Sequence, residues 1–169
     1  MTDKHADPTV FGGLSNTFRY RWFDLSFMFS YQFGGYSYDN WAQKTEHGGY
    51  EMGRNIPVYY RSSWKKPGDV TDYEQFIEDP DVRMSSYATT RRLHSSDFIR
   101  LKTLQFGITL PSRLTRFAGI NSARIDTAAN NLWTWARYDQ YDPEAVSGGT
   151  AIWGTPPLKT VTFGVNINF

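Results

Sequence analysis

Two carboxyl groups held a fixed distance apart across a cleft are the apparatus of glycoside hydrolysis. Asp142 and Glu144, either side of Pro143, are the acids in this chain that most invite that reading. Two acids in one loop more often face solvent or cap a turn, so their expected role is structural and no catalytic residue is assigned. His5, His47 and His94 are scattered, with no i, i+4 pair and no H-E-x-x-H run, which argues against a metal site. The glycine pairs in FGG, QFGG and HGG are not followed by a phosphate-cradling GxxxxGK[ST], so they are read as bends or close backbone approaches. No cofactor is expected. Arg124 and Asp126 are two residues apart on the polar side of a strand-like run, about 7 Å apart along it by the strand rise. They read as a structural ion pair, or as a polar contact for something that passes beside them.

The elements that would carry these residues are strands. Five stretches alternate apolar and polar residues with β-forming composition. They run over 10–20, 25–36, 97–110, 123–135 and 161–169. The second places Leu25, Phe27, Phe29, Tyr31 and Phe33 on one side. The last does the same with Val161, Phe163, Val165, Ile167 and Phe169. The third changes side near Thr103: Ile99 and Leu101 have one parity, and Leu104, Phe106, Ile108 and Leu110 the other. A bulge would do this, as would a strand whose upper half stands above a bilayer. Arg100 and Lys102 in that half favour the second option. No helix of ordinary length is expected; a short one within 72–84 is limited by Pro80.

Composition leaves a membrane location open. The chain has 169 residues, a formal charge of +1, no cysteine and 17% aromatic residues, with a mean hydropathy of −0.55. The near-zero charge gives no reason to expect a nucleic-acid partner. No window is apolar enough for a membrane helix, and MTDKHADPTV lacks the apolar core of a signal peptide. Transmembrane β-strands evade hydropathy, because outward apolar and inward polar residues average out.

Connection lengths discriminate further. They run short (21–24), long (37–96), short (111–122), long (136–157). Outer-membrane barrels alternate short periplasmic turns with long extracellular loops. If the C-terminus is periplasmic, all four connections fall on the expected sides. Tyr20, Trp22, Phe23, Phe117 and Phe169 would sit at one interface, and Tyr36, Tyr38, Trp41, Trp133 and Trp135 at the other. Five strands cannot close in lipid, where every backbone polar group needs a partner. The chain therefore reads as a C-terminal piece with partner strands upstream. Alternatives are a soluble β-sandwich binding carbohydrate, a β-rich hydrolase, and a barrel of several copies.

The motifs also occur in a recognisable order: ADPTVFGGLSNTFRYRWFDLSFMFSYQFGG, SSWKKPGDVTDYEQF, SSDFIRLKTLQFGITLP, NNLWTWARYDQYDPE and TVTFGVNINF. This series resembles the C-terminal part of the SusC/RagA family of TonB-dependent outer-membrane transporters, over essentially all of residues 1–169. One departure is Gln140, where the family usually has Gly. The resemblance implies an all-β fold, five or so antiparallel strands of a 22-stranded barrel, with outward loops at about 37–96 and 136–157. It implies import of oligosaccharides, peptides or other large nutrients and no enzyme activity. It also implies a SusD-like surface lipoprotein as partner, and TonB reached through an N-terminal plug region that this chain lacks. The last strand, ending in Phe169, is implied to be read by the barrel-assembly machinery; Phe169 also suits an anchor at the lipid interface. Trp41, Tyr59, Trp64 and Tyr141 are the loop residues expected to meet partner or substrate. Arg124 and Asp126 are expected to face the lumen.

Overall fold

The computed structural model describes residues 3–49, 53–77, 88–152 and 154–169. In chain order its elements are β1 (Val10–Tyr20), β2 (Phe23–Phe33), β3 (Tyr36–Tyr38), α1 (Asn40–Thr45), 3-10 turns at Val58–Ser62 and Thr90–Arg92, and β4 (Leu93–Ser95). Then follow β5 (Phe98–Leu110), α2 (Ser112–Thr115), a 3-10 turn at Arg116–Ala118, β6 (Ser122–Ala136), β7 (Val146–Ser147), β8 (Thr150–Ala151) and β9 (Thr160–Asn168). The long strands form one antiparallel sheet in the order β1-β2-β5-β6-β9, so each pairs with the next long strand in sequence. β2 ends earlier than its alternation predicts. Gly34 takes φ 86 there, a turn that an ordinary side chain resists.

Register sorts the residues of this sheet into two faces, because cross-strand partners point the same way. Phe27 pairs with Asn16 and Leu104, Leu25 with Phe18 and Phe106, Phe23 with Ile108. Ile108 pairs with Ile125, and Ile125 with Val165. One face is therefore apolar across all five strands. The other carries Thr17, Asp24, Ser26, Gln105, Arg124, Asp126, Thr162 and Asn166.

The side change in β5 is a bulge. The register runs Phe27↔Leu104 and Met28↔Thr103, then Phe29↔Leu101, which leaves Lys102 as an extra residue. β6 answers opposite it: Thr103 pairs with Asn130 and Leu101 with Trp133, and Asn131 takes a left-handed φ of 52. The two irregularities return Ile99 and Leu101, with Trp133 and Trp135, to the apolar face. The expected explanation, an upper half whose outward side need not be apolar, is corrected: the apolar side continues through.

Nothing described covers that face. Buried apolar residues among the described ones are Ala42, Tyr60, Phe98, Ala123, Ala129 and Ala151, mostly small. Phe18 is 55% exposed and Phe163 77%. A β-sandwich buries such a face under a second sheet. The second sheet here, in the order β4-β3-β8-β7, is built of strands of two or three residues from the long connections. The sandwich alternative fails on this point. Apolar surface of this extent, broad and alternating, suits lipid. Among the described residues no helix is long and apolar enough to cross a membrane.

At one end of the sheet the connections are tight. Arg21 and Trp22 turn β1 into β2, with Arg21 at φ 52, and α2 with the following 3-10 turn closes on Gly119 at φ 69. The other end carries both long connections, joined through the parallel pairing of β3 and β8 at Tyr38↔Thr150. Tyr36, Tyr38 and Trp41 belong to this joined cap, not to an aromatic belt; Trp133 and Trp135 alone of that expected group stand on the apolar face. The helix expected within 72–84 falls partly outside the described residues, and 72–77 is not helical.

Candidate functional site

The cap is assembled around buried polar groups. Asp39 is 3% exposed and caps α1: its Oδ1 accepts from Ala42 N at 2.8 Å. Its Oδ2 accepts from the Tyr138 hydroxyl at 2.7 Å, which ties the second loop to the first. Burial, then Asp39, push the Tyr138 phenol above its ordinary range, so it stays a donor. The His94 ring lies flat on Tyr138, 3.7 Å between centroids and 4° between planes. Burial pulls His94 below its ordinary value, against the opposing pull of Asp39 and Glu46. Ser37, fully buried, shares a hydrogen bond with the Tyr141 hydroxyl.

Glu46, directly after α1, holds the first loop together. Tyr59 donates to its Oε1 at 2.6 Å, Tyr60 to its carbonyl at 3.1 Å, and Arg92 to the same carbonyl at 3.2 Å. Burial and the Glu46 hydrogen bond raise Tyr59 well above the usual phenol value, and burial pushes Tyr60 up to about 12. Tyr59 and Tyr60 pack on Tyr73, with centroids 5.0 and 5.2 Å away.

Asp142 and Glu144 converge on one guanidinium. Arg100, on the polar face of β5, donates to Asp142 Oδ2 at 2.7 Å, to Glu144, and to Thr134 Oγ1 at 3.0 Å. Lys102, the bulge residue, adds a 2.6 Å contact to Glu144. Glu144 N donates to Asp142 Oδ1 at 2.9 Å, closing the turn around Pro143. Both acids thus serve as acceptors in a strut between loop and sheet.

Arg124 and Asp126 do share the polar face, and Asp24 is the partner the sequence did not offer. Arg124 makes a two-pronged contact to Asp24 at 2.6 and 2.9 Å, reaching over β5. Gly107 makes the crossing possible: a Cβ there would lie 2.1 Å from Arg124 Nη2 and 2.8 Å from Asp24 Oδ2. A glycine inside an otherwise β-forming run was the available signal. Asp126 instead accepts from Asn166 Nδ2 at 3.3 Å and lies over Gly164. The expected pair between Arg124 and Asp126 is corrected accordingly.

The four loop aromatics separate. Trp41 is 48% exposed and Tyr59 42%, and both line one hollow of about 360 Å³. Tyr141 joins Trp41 around a second of about 370 Å³. Trp64 is half-buried beside Tyr73, whose carbonyl accepts from its backbone N–H at 3.0 Å, and lines neither hollow. Val161, Phe163, Val165 and Ile167 stand in line on the apolar face of β9, with Phe169 just beyond it and 83% exposed. Among the described residues no group of three His, Asp or Glu is placed to hold a metal ion.

Comparison with known proteins matches this geometry. No family model matches the sequence. TonB-dependent receptor P39 of Formosa agariphila is 28% identical over 165 residues, 94% of this chain and 16% of the relative. TonB-dependent receptor P3 of the same organism is 26% identical over 168 residues, 93% of this chain and 16% of the relative. The chain therefore spans about one sixth of the length of the curated relatives it matches. Among solved structures, the RagAB peptide importer in its open-open state superposes with a TM-score of 0.81 at 30% identity, over 99% of this chain and 18% of that one. Its closed-closed state gives 0.82 at the same identity and coverage. In sequence and in fold, the chain is a SusC/RagA-type segment of the outer-membrane β-barrel of a TonB-dependent receptor.

Proposed function

We propose that this segment serves a TonB-dependent importer of large nutrients, peptides or oligosaccharides, in the outer membrane of a Gram-negative bacterium. It contributes barrel wall, an outward cap and a terminal strand, and performs no chemistry. One observation carries the reading: a five-stranded sheet with an uncovered apolar face, a polar opposite face and both long connections joined at one end. The described parts of the two long connections, about 37–96 and 136–157, face outward, and the C-terminus lies in the periplasm. A SusD-like surface lipoprotein covers the cap, a reading that the likeness to the RagAB peptide importer supports. TonB engages the receptor elsewhere. Arg124 and Asp126 face the lumen, and the β9 row ending in Phe169 presents an edge to the assembly machinery.

The test uses the full receptor in its host. Single cysteines replace Gly148 at the β7–β8 turn and Gly119 at the tight end, and intact cells are treated with a membrane-impermeant thiol reagent. Labelling at Gly148→Cys alone is expected; labelling at Gly119→Cys alone would invert the proposed orientation. Growth on peptides or oligosaccharides as sole nutrient, lost on deletion of either the receptor or TonB, tests the import reading separately.

A further inference from the structure

The two hollows in the cap share a wall. Trp41 and Gln140 line both; Asn55 and Tyr59 line one, Tyr141 and Thr155 the other. Trp41 sits in the first turn of α1, whose start Asp39 pins to both loops, so the half-exposed indole is presented on a fixed support. Gln140 donates to Asp139 Oδ1 at 2.9 Å, which orients its carboxamide and leaves its carbonyl oxygen and second N–H available.

The chemistry of these walls is narrow. Their carboxylates are Asp39 and Asp142, and both are already engaged, the first by Ala42 N and Tyr138, the second by Arg100. A charged ligand would find no free countercharge among these side chains. Flat rings beside neutral amides and hydroxyls suit a molecule with apolar C–H faces and a hydroxyl rim. Two hollows either side of one indole suit consecutive rings of a chain.

We propose that Trp41 and Gln140 form a subsite for a neutral oligosaccharide, the indole stacking on one sugar ring while Gln140 and Asn55 take its hydroxyls. The subsite deepens the importer reading and rests on it for the ligand's arrival. The probes are α- and β-linked hexose and pentose oligomers, with uncharged peptides of similar length, titrated calorimetrically into the full receptor in detergent. At least one oligosaccharide series should bind. Trp41→Ala should weaken it about tenfold or more, the scale of losing a ring contact. Trp41→Phe should recover part of that, and Gln140→Gly should weaken binding less than Trp41→Ala. Each variant must keep the heat-modifiable mobility of the folded barrel, and the Phe variant keeps the question answerable should the Ala variant misassemble.

No binding by any oligosaccharide, binding indifferent to Trp41, or Trp41-dependent binding of a peptide instead would each overturn the subsite. The two readings separate in growth assays. TonB-dependent growth with glycan binding that ignores Trp41 keeps the importer and removes the subsite. Trp41-dependent binding with no TonB-dependent uptake does the reverse.

Discussion

A hydrogen atom is the largest group that position 107 accepts. The Arg124 guanidinium passes directly over it to reach Asp24, joining β2 to β6 across the strand between them. The pair is partly open to solvent, with side chains 38% and 29% exposed, so its own stabilisation is modest. Its effect is to hold three strands in one register. Gly107→Val should therefore lower the thermal midpoint of the folded receptor. Asp24→Asn should lower it too, and the double variant should be little worse than the single ones, since both remove one strut. Fully additive losses would mean that Gly107 protects something else. Arg100 is the sharper case, because it is 3% exposed and faces two carboxylates. Arg100→Met takes the guanidinium from both carboxylates and leaves Lys102 on Glu144 only, a loss of about 3–5 kcal/mol for a broken buried pair. Faster proteolysis within 137–152 is the expected result. Adding Asp142→Asn and Glu144→Gln should return much of the protection; if it does not, the strut is not what holds the loop.

Elements explain which of these features were legible in sequence. The long strands were, because a sheet with one face in lipid must alternate, and alternation is local. Even the side change in β5 was visible from the parity of Leu101 and Leu104. Its cause was not, because a bulge is defined by the partner strand, and Asn131 supplies the matching irregularity about thirty residues further on. The cap was hidden for the same reason. Ser37, Asp39 and Tyr138 carry no periodic signature, and the pairing of Tyr38 with Thr150 joins two loops distant in sequence. The bulge makes a prediction at this scale. A second residue inserted beside Lys102, where the register already absorbs one, would slip half of β5 by one residue and turn Arg100 toward lipid, at about 2–4 kcal/mol near the bilayer midplane and less toward its surface. The folded receptor recovered from the outer membrane should fall severely, whereas Lys102→Ala should assemble. Equal recovery of the two would show that the bulge absorbs a second extra residue without a slip. The cap makes another. His94, depressed by burial, is neutral in the folded cap, while the unfolded chain protonates near pH 6.5. The unfolded state thus binds more protons as pH falls below that value, so the stability present above it is lost as pH drops through the lower folded pKa. Proteolysis at the β3–β4 junction should quicken below about pH 6.5, and His94→Phe should flatten that dependence.

For the whole molecule the governing fact is an open sheet in a setting that forbids edges. β1 and β9 pair with β2 and β6 on one side only, and their other backbone groups have no strand beside them among the described residues. In lipid each unpaired group costs several kcal/mol, and no rearrangement of five strands satisfies them while keeping the apolar face outward. The residues alone therefore specify a wall and not a closed barrel. The 169-residue chain refolded by itself into detergent micelles should give no heat-resistant β form on a gel. Co-expression with the remaining strands of its receptor as a separate polypeptide should restore that form, because edge pairing needs no covalent link between β1 and its neighbour. A heat-resistant species formed by the chain alone would separate the possibilities by mass. Several copies would mean that the edges close on one another, and a monomer would mean that the sheet does not lie in lipid as its two faces indicate.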